Sequence, residues 1–349
     1  AHTQSSSTDY LNRAKLTPSL PSDPVVAPYI YNNPGTYRLI ALYQNSFCDH
    51  ITIEVKPNIA PEFQARACTG NRVNIHITDT NYDRYIINYG DGTGEVSLPD
   101  GVRTDQHTYA TTSSKTIQVR GVYNGAADNC ATMSHTFLPL AALTPPLIRT
   151  LTVNDESSIQ LALDNLQSDV LYRLEIYQNG SPFRSQDVFN ISLVTVSNLQ
   201  TDRDYYCFRL VPDNCAVPYG TAASNMICSS RVNLTASDNQ MQVSWVTQAG
   251  HSSYSILRNG TSIFNSSNVS TNTFYDTDVV CKQPYCYQFV KTYSNGSTSL
   301  SLPKCADAFS TTVPPTPSNI SATAGTNSNT ITLTWDQHPD FNPLEYSIF

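Results

Sequence analysis

The chain has 349 residues, enough for two or three domains by length alone, and charged residues make up only 14% of it. Twenty Lys and Arg against 28 Asp and Glu leave a net charge of −8, which argues against a binder of nucleic-acid phosphates or of an anionic membrane surface. Fourteen Gly, 21 Pro, 21 Tyr and only 3 Met exclude a collagen, a Gly/Ser linker and a coiled coil.

No sustained helical stripe occurs. The longest apolar stretch, Phe137–Leu143, is interrupted by Pro139 and is too short to span a bilayer. Ala1–Ser7 carries no basic segment followed by an apolar one, so no export leader is visible. Nine cysteines without paired His or C-x-x-C spacing suit an exported, disulfide-bonded protein better than a zinc protein.

Along the chain, apolar residues alternate with polar ones in short runs. These are Val73, Ile75 and Ile77; Ile117 and Val119; Ile159, Leu161 and Leu163; Met241, Val243 and Trp245; and Ile331, Leu333 and Trp335. A period of two with one apolar face predicts sandwich strands. Asp91-Gly92, Asp100-Gly101, Asn179-Gly180, Asn259-Gly260 and Asn295-Gly296 separate the runs and predict hairpin turns of the I′ kind.

An internal repeat overrides the length prior. Tyr172–Phe183 is similar to Tyr254–Phe264, Asp204–Leu210 to Gln283–Phe289, and Cys228 corresponds to Cys305. The offset of roughly 80 residues suits a seven-strand sandwich. A third copy begins at Pro314 and runs through Trp335 to Tyr346. Proline-rich joints at Pro139, Pro145-Pro146 and Pro314-Pro315 read as linkers.

The repeats from about residue 145 resemble fibronectin type III domains: a strand ending in Trp245 or Trp335, then one bearing Tyr254 or Tyr346, then a Tyr-rich strand with Tyr285 and Tyr287. The first copy has Leu163 or Asp164 where that family carries Trp. Residues 58–140 resemble a PKD-type domain through Tyr85–Thr93, which contains Gly90-Asp91-Gly92, followed by His107-Thr-Tyr109. Residues 29–57 resemble the back half of another, through Pro34-Gly35-Thr36-Tyr37 and Ile51–Val55. The expected fold class is therefore all-β, a tandem array of Ig-like sandwiches. It comprises a partial PKD-type unit (1–57), a PKD-type unit (58–140), two fibronectin-like units (141–228 and 229–310) and the start of a third (311–349). Each is expected to bury its own core, the whole forming a rod on the order of 150 Å long. Both ends are expected to fall inside domains, making the chain a window onto a longer protein. The unit order is similar to that of long secreted surface proteins of Bacteroidota type, linked to gliding and type IX secretion.

The cysteines follow. Cys286 and Cys305 are equidistant from Asn295-Gly296, so a regular hairpin pairs them, and Cys207 with Cys228 repeats the arrangement. A two-residue turn would place Cys286 at a hydrogen-bonded position, where Cα atoms are farther apart, so Cys281 with Cys305 is the alternative. Cys68 and Cys130 share one unit and are expected to pair. Cys48 and Cys215 have no evident partner. Closing a loop of about 20 residues stabilises by roughly 3 kcal/mol.

No catalytic residue, cofactor or metal ligand is expected. The seven histidines lack i, i+4 spacing, and no Gly-x-Ser-x-Gly, Walker, His-Glu-x-x-His or Rossmann motif occurs. His107 reads as a structural hydrogen-bond partner. Asp79, Asp83, Asp91, Asp100 and Asp105 could converge on calcium but read better as turn caps. The Asn-x-Ser/Thr sequons, from Asn179 to Asn319, would carry glycans in a eukaryotic source. The expected function is a non-catalytic structural or adhesive protein at the cell surface or outside the cell. The alternative is the spacer region of a secreted polysaccharide-degrading enzyme. Expected partners are other proteins or surface glycans met through loops or edge strands, further copies of the chain, or envelope secretion and motility components. Nucleic acid and a membrane span are not expected.

Overall fold

The computed structural model describes residues 31–43, 46–124, 131–215, 222–246, 250–312, 316–326, 329–336 and 347. They form strands and turns, and the chain divides into two compact units. The first comprises Ala1–Leu143, Ser168–Val170 and Asn214–Val217, and the second comprises Thr144–Gln167, Leu171–Asp213 and Pro218–Phe349. Cys130, Pro314-Pro315 and Tyr346 lie outside the described residues.

In the first unit, β1 (Gly35–Tyr43) and β2 (Ser46–Val55) pair as an antiparallel ribbon. A seven-strand sandwich follows: β3 (Phe63–Cys68), β4 (Arg72–Ile77), β5 (Arg84–Asn88), β6 (Glu95–Ser97), β7 (Thr104–Thr108), β8 (Lys115–Val122) and β9 (Thr132–Phe137). One sheet has the order β3-β4-β7 and the other β6-β5-β8-β9. The alternating residues meet between them: Val73, Ile75 and Ile77 face Ile87, Ile117, Val119 and Phe137, all buried. This is the period-two burial that a two-layer all-β domain requires.

The second unit contains two more sandwiches. One uses β10 (Leu147–Val153), β11 (Ile159–Asp164), β12 (Leu171–Gln178), β13 (Ser181–Phe189), β14 (Leu193–Val196), β15 (Tyr206–Pro212) and β16 (Ile227–Cys228). The other uses β17 (Val232–Ser237), β18 (Gln240–Trp245), β19 (Ser253–Arg258), β20 (Thr261–Ser266), β21 (Thr273–Asp276), β22 (Pro284–Thr292), β23 (Thr298–Leu300) and β24 (Lys304–Asp307). Trp245 stacks on Phe289 at 4.6 Å and tilts against Tyr254 at 5.0 Å, filling the later core. Leu163, in the corresponding strand of the earlier copy, is buried without an indole. β25 (Ser318–Ala324) and β26 (Ile331–Asp336) pair as a ribbon with Ile320 and Ile331 exposed. The architecture is a tandem array of immunoglobulin-like β-sandwiches.

Two expectations change. First, the two sandwiches of the second unit do not keep separate sheets. β10 pairs in parallel with β23, through Thr150–Thr298, Leu151–Ser299 and Thr152–Leu300. One eight-stranded sheet thereby runs through both. Only Ser229–Arg231 separates β16 from β17, with no proline to stiffen the step. So short a connection leaves the strands close enough to pair.

Second, only two of the five turn dipeptides have both residues at positive φ. Asn179-Gly180 and Asn259-Gly260 do so, and each closes a two-residue hairpin. At Asn295-Gly296 only the glycine is left-handed. Thr292 there pairs with Thr298, and Tyr293 N–H donates to the Ser297 carbonyl, so the loop is longer by one residue.

Glycine is required at Gly90, which has φ +72° and whose added Cβ would lie 2.3 Å from the Thr116 carbonyl oxygen. Gly92 has φ +85° but faces open space. Gly90→Ala should therefore destabilise the first unit by about 2–3 kcal/mol, combining backbone strain with overpacking. Gly92→Ala should cost only roughly 1 kcal/mol. Urea melts of the two variants, compared with wild type, test that order.

Candidate functional site

The described residues hold three disulfides. Cys207 of β15 is bonded to Cys228 of β16, and Cys286 of β22 to Cys305 of β24. In each case the two residues are directly opposite in register, with Cα atoms 3.9 and 4.0 Å apart. Such closeness belongs to a non-hydrogen-bonded pair. The backbone explains it: Asn259 N–H donates to the Cys286 carbonyl, and Cys286 N–H donates to Asn259 Oδ1. Both polar groups of Cys286 thus point away from Cys305.

The longer loop at Asn295-Gly296 is what permits this. Near the tip, residue numbers of partners differ by one step from those farther along: Val290 meets Leu300, whereas Cys286 meets Cys305. The extra residue lies around Ser301–Pro303, between β23 and β24. It moves the pair from the hydrogen-bonded position that a regular two-residue turn predicts. Cys281, the alternative partner of Cys305, is exposed and free.

The expected pairing of Cys68 with Cys130 is replaced. Cys68 is bonded to Cys215, with Cα atoms 5.8 Å apart, inside the first compact unit. Neighbouring bonds hold the same contact: Thr69 N–H and Oγ1 both donate to Asn214 Oδ1, at 3.0 and 2.8 Å, and Ala67 N–H donates to the Asp169 carbonyl at 2.7 Å. A partner 147 residues away in the chain is set by tertiary contact, which shared-unit reasoning does not reach.

The acidic residues of the first sandwich are mostly turn and ring anchors. Asp79 accepts from Asn81 N–H and Tyr85 Oη, and Asp105 accepts from Tyr89 Oη. Asp83 accepts from Asn124 N–H, and Asp100 from Asn124 Nδ2. Among the described residues, no three His, Cys, Asp or Glu side chains converge as a metal site would need. Asp91 accepts from Thr93 N–H and Oγ1 and lies 2.7 Å from His107 Nε2, whose ring stacks on Tyr89. Gly90-Asp91-Gly92 and His107 therefore act together, one clamping the turn and the other receiving it. Burial works against the Asp91 carboxylate, but the bonds from Thr93 and His107 prevail and hold it down at about 2.

A second polar cluster, unmarked by any motif, lies where the two sandwiches of the second unit join. Lys291, 1% exposed, points its Nζ at the Ser229 carbonyl at 3.3 Å. Cys228 N–H donates to Tyr293 Oη at 2.9 Å, and Ser299 Oγ donates to the Cys228 carbonyl at 2.8 Å. Ser297 Oγ donates to the Ile148 carbonyl at 2.7 Å, while Ile148 N–H donates to Asn225 Oδ1. Side chains of the later sandwich thus satisfy backbone groups of the earlier one. A signal did exist: Tyr287, Phe289, Lys291 and Tyr293 share the parity of one strand face, so the lysine is on the core side.

Among solved structures, the chain is similar to the central fibronectin-III array of RIM-binding protein. The two are 13% identical with a TM-score of 0.23, over 55% of this chain and 79% of that one. It is also similar to the FN1–FN3 domains of chicken CNTN1, 10% identical with a TM-score of 0.22, over 72% of this chain and 98% of that one. No protein-family model and no curated protein matches the chain.

Two outcomes follow. The Asp91 carboxyl is held below its unfolded value, so its contribution is present above about pH 4 and lost as pH falls toward 2. Asp91→Asn should flatten the acid limb of the first unit's stability curve in that window, read by circular dichroism during acid titration. Replacing both Cys286 and Cys305 by Ser should cost roughly 3 kcal/mol, read as a lowered urea midpoint by Trp245 fluorescence.

Proposed function

We propose that this chain is a non-catalytic structural or adhesive segment of an exported protein, working outside the cell or on its surface by holding attached parts apart and presenting loop ends or edge strands to partners. The observation that carries this reading is the tandem array itself, with a disulfide across the last strands of both later sandwiches. Such bonds persist in oxidising compartments. The polar side chains support it too. Several carboxylates are committed to their own turns and strands, as Asp91, Asp105 and Asp276 are.

Edge strands give this segment its means of contact. β13 and β14 close opposite sheets of one sandwich, and among the described residues each has a partner on one side only. Phe183, on β13, is exposed, as is Leu193 on β14. An extended segment of another protein can pair with such an edge through its backbone. The finer reading places this segment in a long Bacteroidota-type surface protein of the gliding or type IX secretion kind. It rests on the order of PKD-type and fibronectin-like motifs.

Mass spectrometry of the intact native protein, with peptide mapping under non-reducing conditions, tests the proposal. Linked Cys207–Cys228 and Cys286–Cys305 peptides, on a polypeptide built of further sandwich repeats, are expected. All cysteines reduced in freshly isolated protein would overturn export. A hydrolase domain on the same polypeptide would favour a spacer in a secreted polysaccharide-degrading enzyme instead.

A further inference from the structure

The third sandwich turns a sheet face outward on which no charge falls. Its three-stranded sheet has the order β17-β18-β21. Alternation sends Val232, Met241, Val243 and Trp245 inward to the core and leaves the residues between them outside. Register arranges the outer residues in rows. Thr235, Gln242 and Tyr275 lie side by side in one, and Asn233, Ser244 and Thr273 in the next. At ordinary strand spacing the two rows make a platform roughly 10 Å across and 7 Å along.

Two observations set this face apart. The first is hydrogen-bonding capacity left unused. In the same sandwich the hydroxyls of Tyr254, Tyr285, Tyr287 and Tyr293 are all bonded. Tyr275 is 52% exposed, and its hydroxyl has no partner among the described residues. The same holds for the side chains of Asn233, Thr235, Gln242 and Ser244, while Thr273 is bonded to its neighbour Asn272. The second observation is the contrast with the other sandwiches. In the earlier copy Thr195 stands opposite Gln160, where the later copy sets Tyr275 opposite Gln242, and Arg149 of that sheet pairs with Asp164. The comparable sheet of the first sandwich carries Arg66 on β3 and Arg72 on β4. The aromatic ring and the lack of charge therefore belong to this face and not to the repeat as such.

We propose that the outer face of β17, β18 and β21, centred on Tyr275 and Gln242, binds an uncharged polysaccharide.

The chemistry favours that ligand over others. A sugar ring has an apolar face of C–H groups and a rim of hydroxyls that both donate and accept. The Tyr275 ring offers an apolar surface for the first. Amides and hydroxyls, which also donate and accept, answer the second at every position around it. A protein partner would have to bury the same polar groups and satisfy each of them, with one aromatic residue as its only apolar anchor. Phosphates or uronates would find no cation in either row, on a chain whose net charge is −8. A flat surface without walls suits a polymer lying across it, and repeated weak contacts along that polymer supply the hold. The site would give the exported segment a way to attach to a glycan matrix through a sheet face, apart from its loops and edges, and it rests on the reading of the chain as an exported surface protein.

Affinity electrophoresis of the full chain tests the site, in native gels containing hydroxyethylcellulose, galactomannan or dextran, with alginate as the anionic comparison. At least one neutral polymer should retard wild type in proportion to its concentration. Tyr275→Ala should weaken that retardation by about five- to tenfold, and Tyr275→Phe, which keeps the ring, should retain most of it. Gln242→Ala provides a second lesion on the same face and should also weaken binding. Thr195→Ala, at the corresponding place in the earlier sandwich, should bind as wild type does. Urea midpoints read by Trp245 fluorescence confirm that each variant is folded. No retardation by any neutral polymer would overturn the proposal, as would stronger retardation by alginate. Wild-type retardation of folded Tyr275→Ala and Gln242→Ala, or an equal loss in Thr195→Ala, would overturn it as well. Peptide mapping of the same protein separates the two readings: failure to bind with Cys207–Cys228 and Cys286–Cys305 both linked removes the glycan site and leaves export standing.

Discussion

Much of this protein depends on one constraint: a buried tyrosine ring must end in a satisfied hydroxyl. Tyr82 Oη donates to the Ile59 carbonyl and Tyr123 Oη to that of Pro57, fixing the segment that enters the first sandwich. Tyr172, Tyr206 and Tyr285 each accept from a backbone N–H five or six residues upstream, at Gln167, Gln200 and Val280. Each ring contributes to a core while its oxygen holds the loop that leads into the strand. Burial and donation to Asp79 push Tyr85 up to about 12, so its proton, and with it the bond, persists across ordinary pH. A chain poor in charge and rich in tyrosine thus uses hydroxyls where other proteins use ion pairs to fix loops.

The same economy of side chains extends to the covalent bonds. A cross-strand disulfide needs two residues whose backbone groups face outward, away from each other. In the third sandwich that condition is met by Asn259, whose left-handed conformation closes one hairpin while its side chain holds Cys286 in the neighbouring strand. In the second, Asn179 makes the corresponding pair of bonds with Tyr205, two residues before Cys207. One Asn-Gly dipeptide therefore sets both a turn and the register of the strand beside it.

Legibility followed the range of the interactions. Strand runs such as Val73–Ile77 and the two Asn-Gly hairpins were readable because alternation and positive φ are local properties. The Tyr-Cys strands could be placed because the repeat showed them twice. The Cys68–Cys215 bond was not readable, since nothing near either residue encodes a partner 147 positions away. The register step near Ser301–Pro303 was hidden for a related reason: a one-residue change in pairing leaves composition untouched. Lys291 belongs to no motif, and its burial shows only in the parity it shares with Tyr287 and Phe289 along the strand.

The two short disulfide loops have a mechanical consequence. A chain under tension can lengthen only by the residues that lie between its load-bearing covalent points. The bonds Cys207–Cys228 and Cys286–Cys305 carry load directly across spans of 21 and 19 residues. At about 3.5 Å per extended residue, each span withholds roughly 70 Å of slack. A pulled segment of this protein would therefore yield in shorter steps than sandwiches without such bonds, and would keep its far end closer to its anchor after a sandwich has come apart.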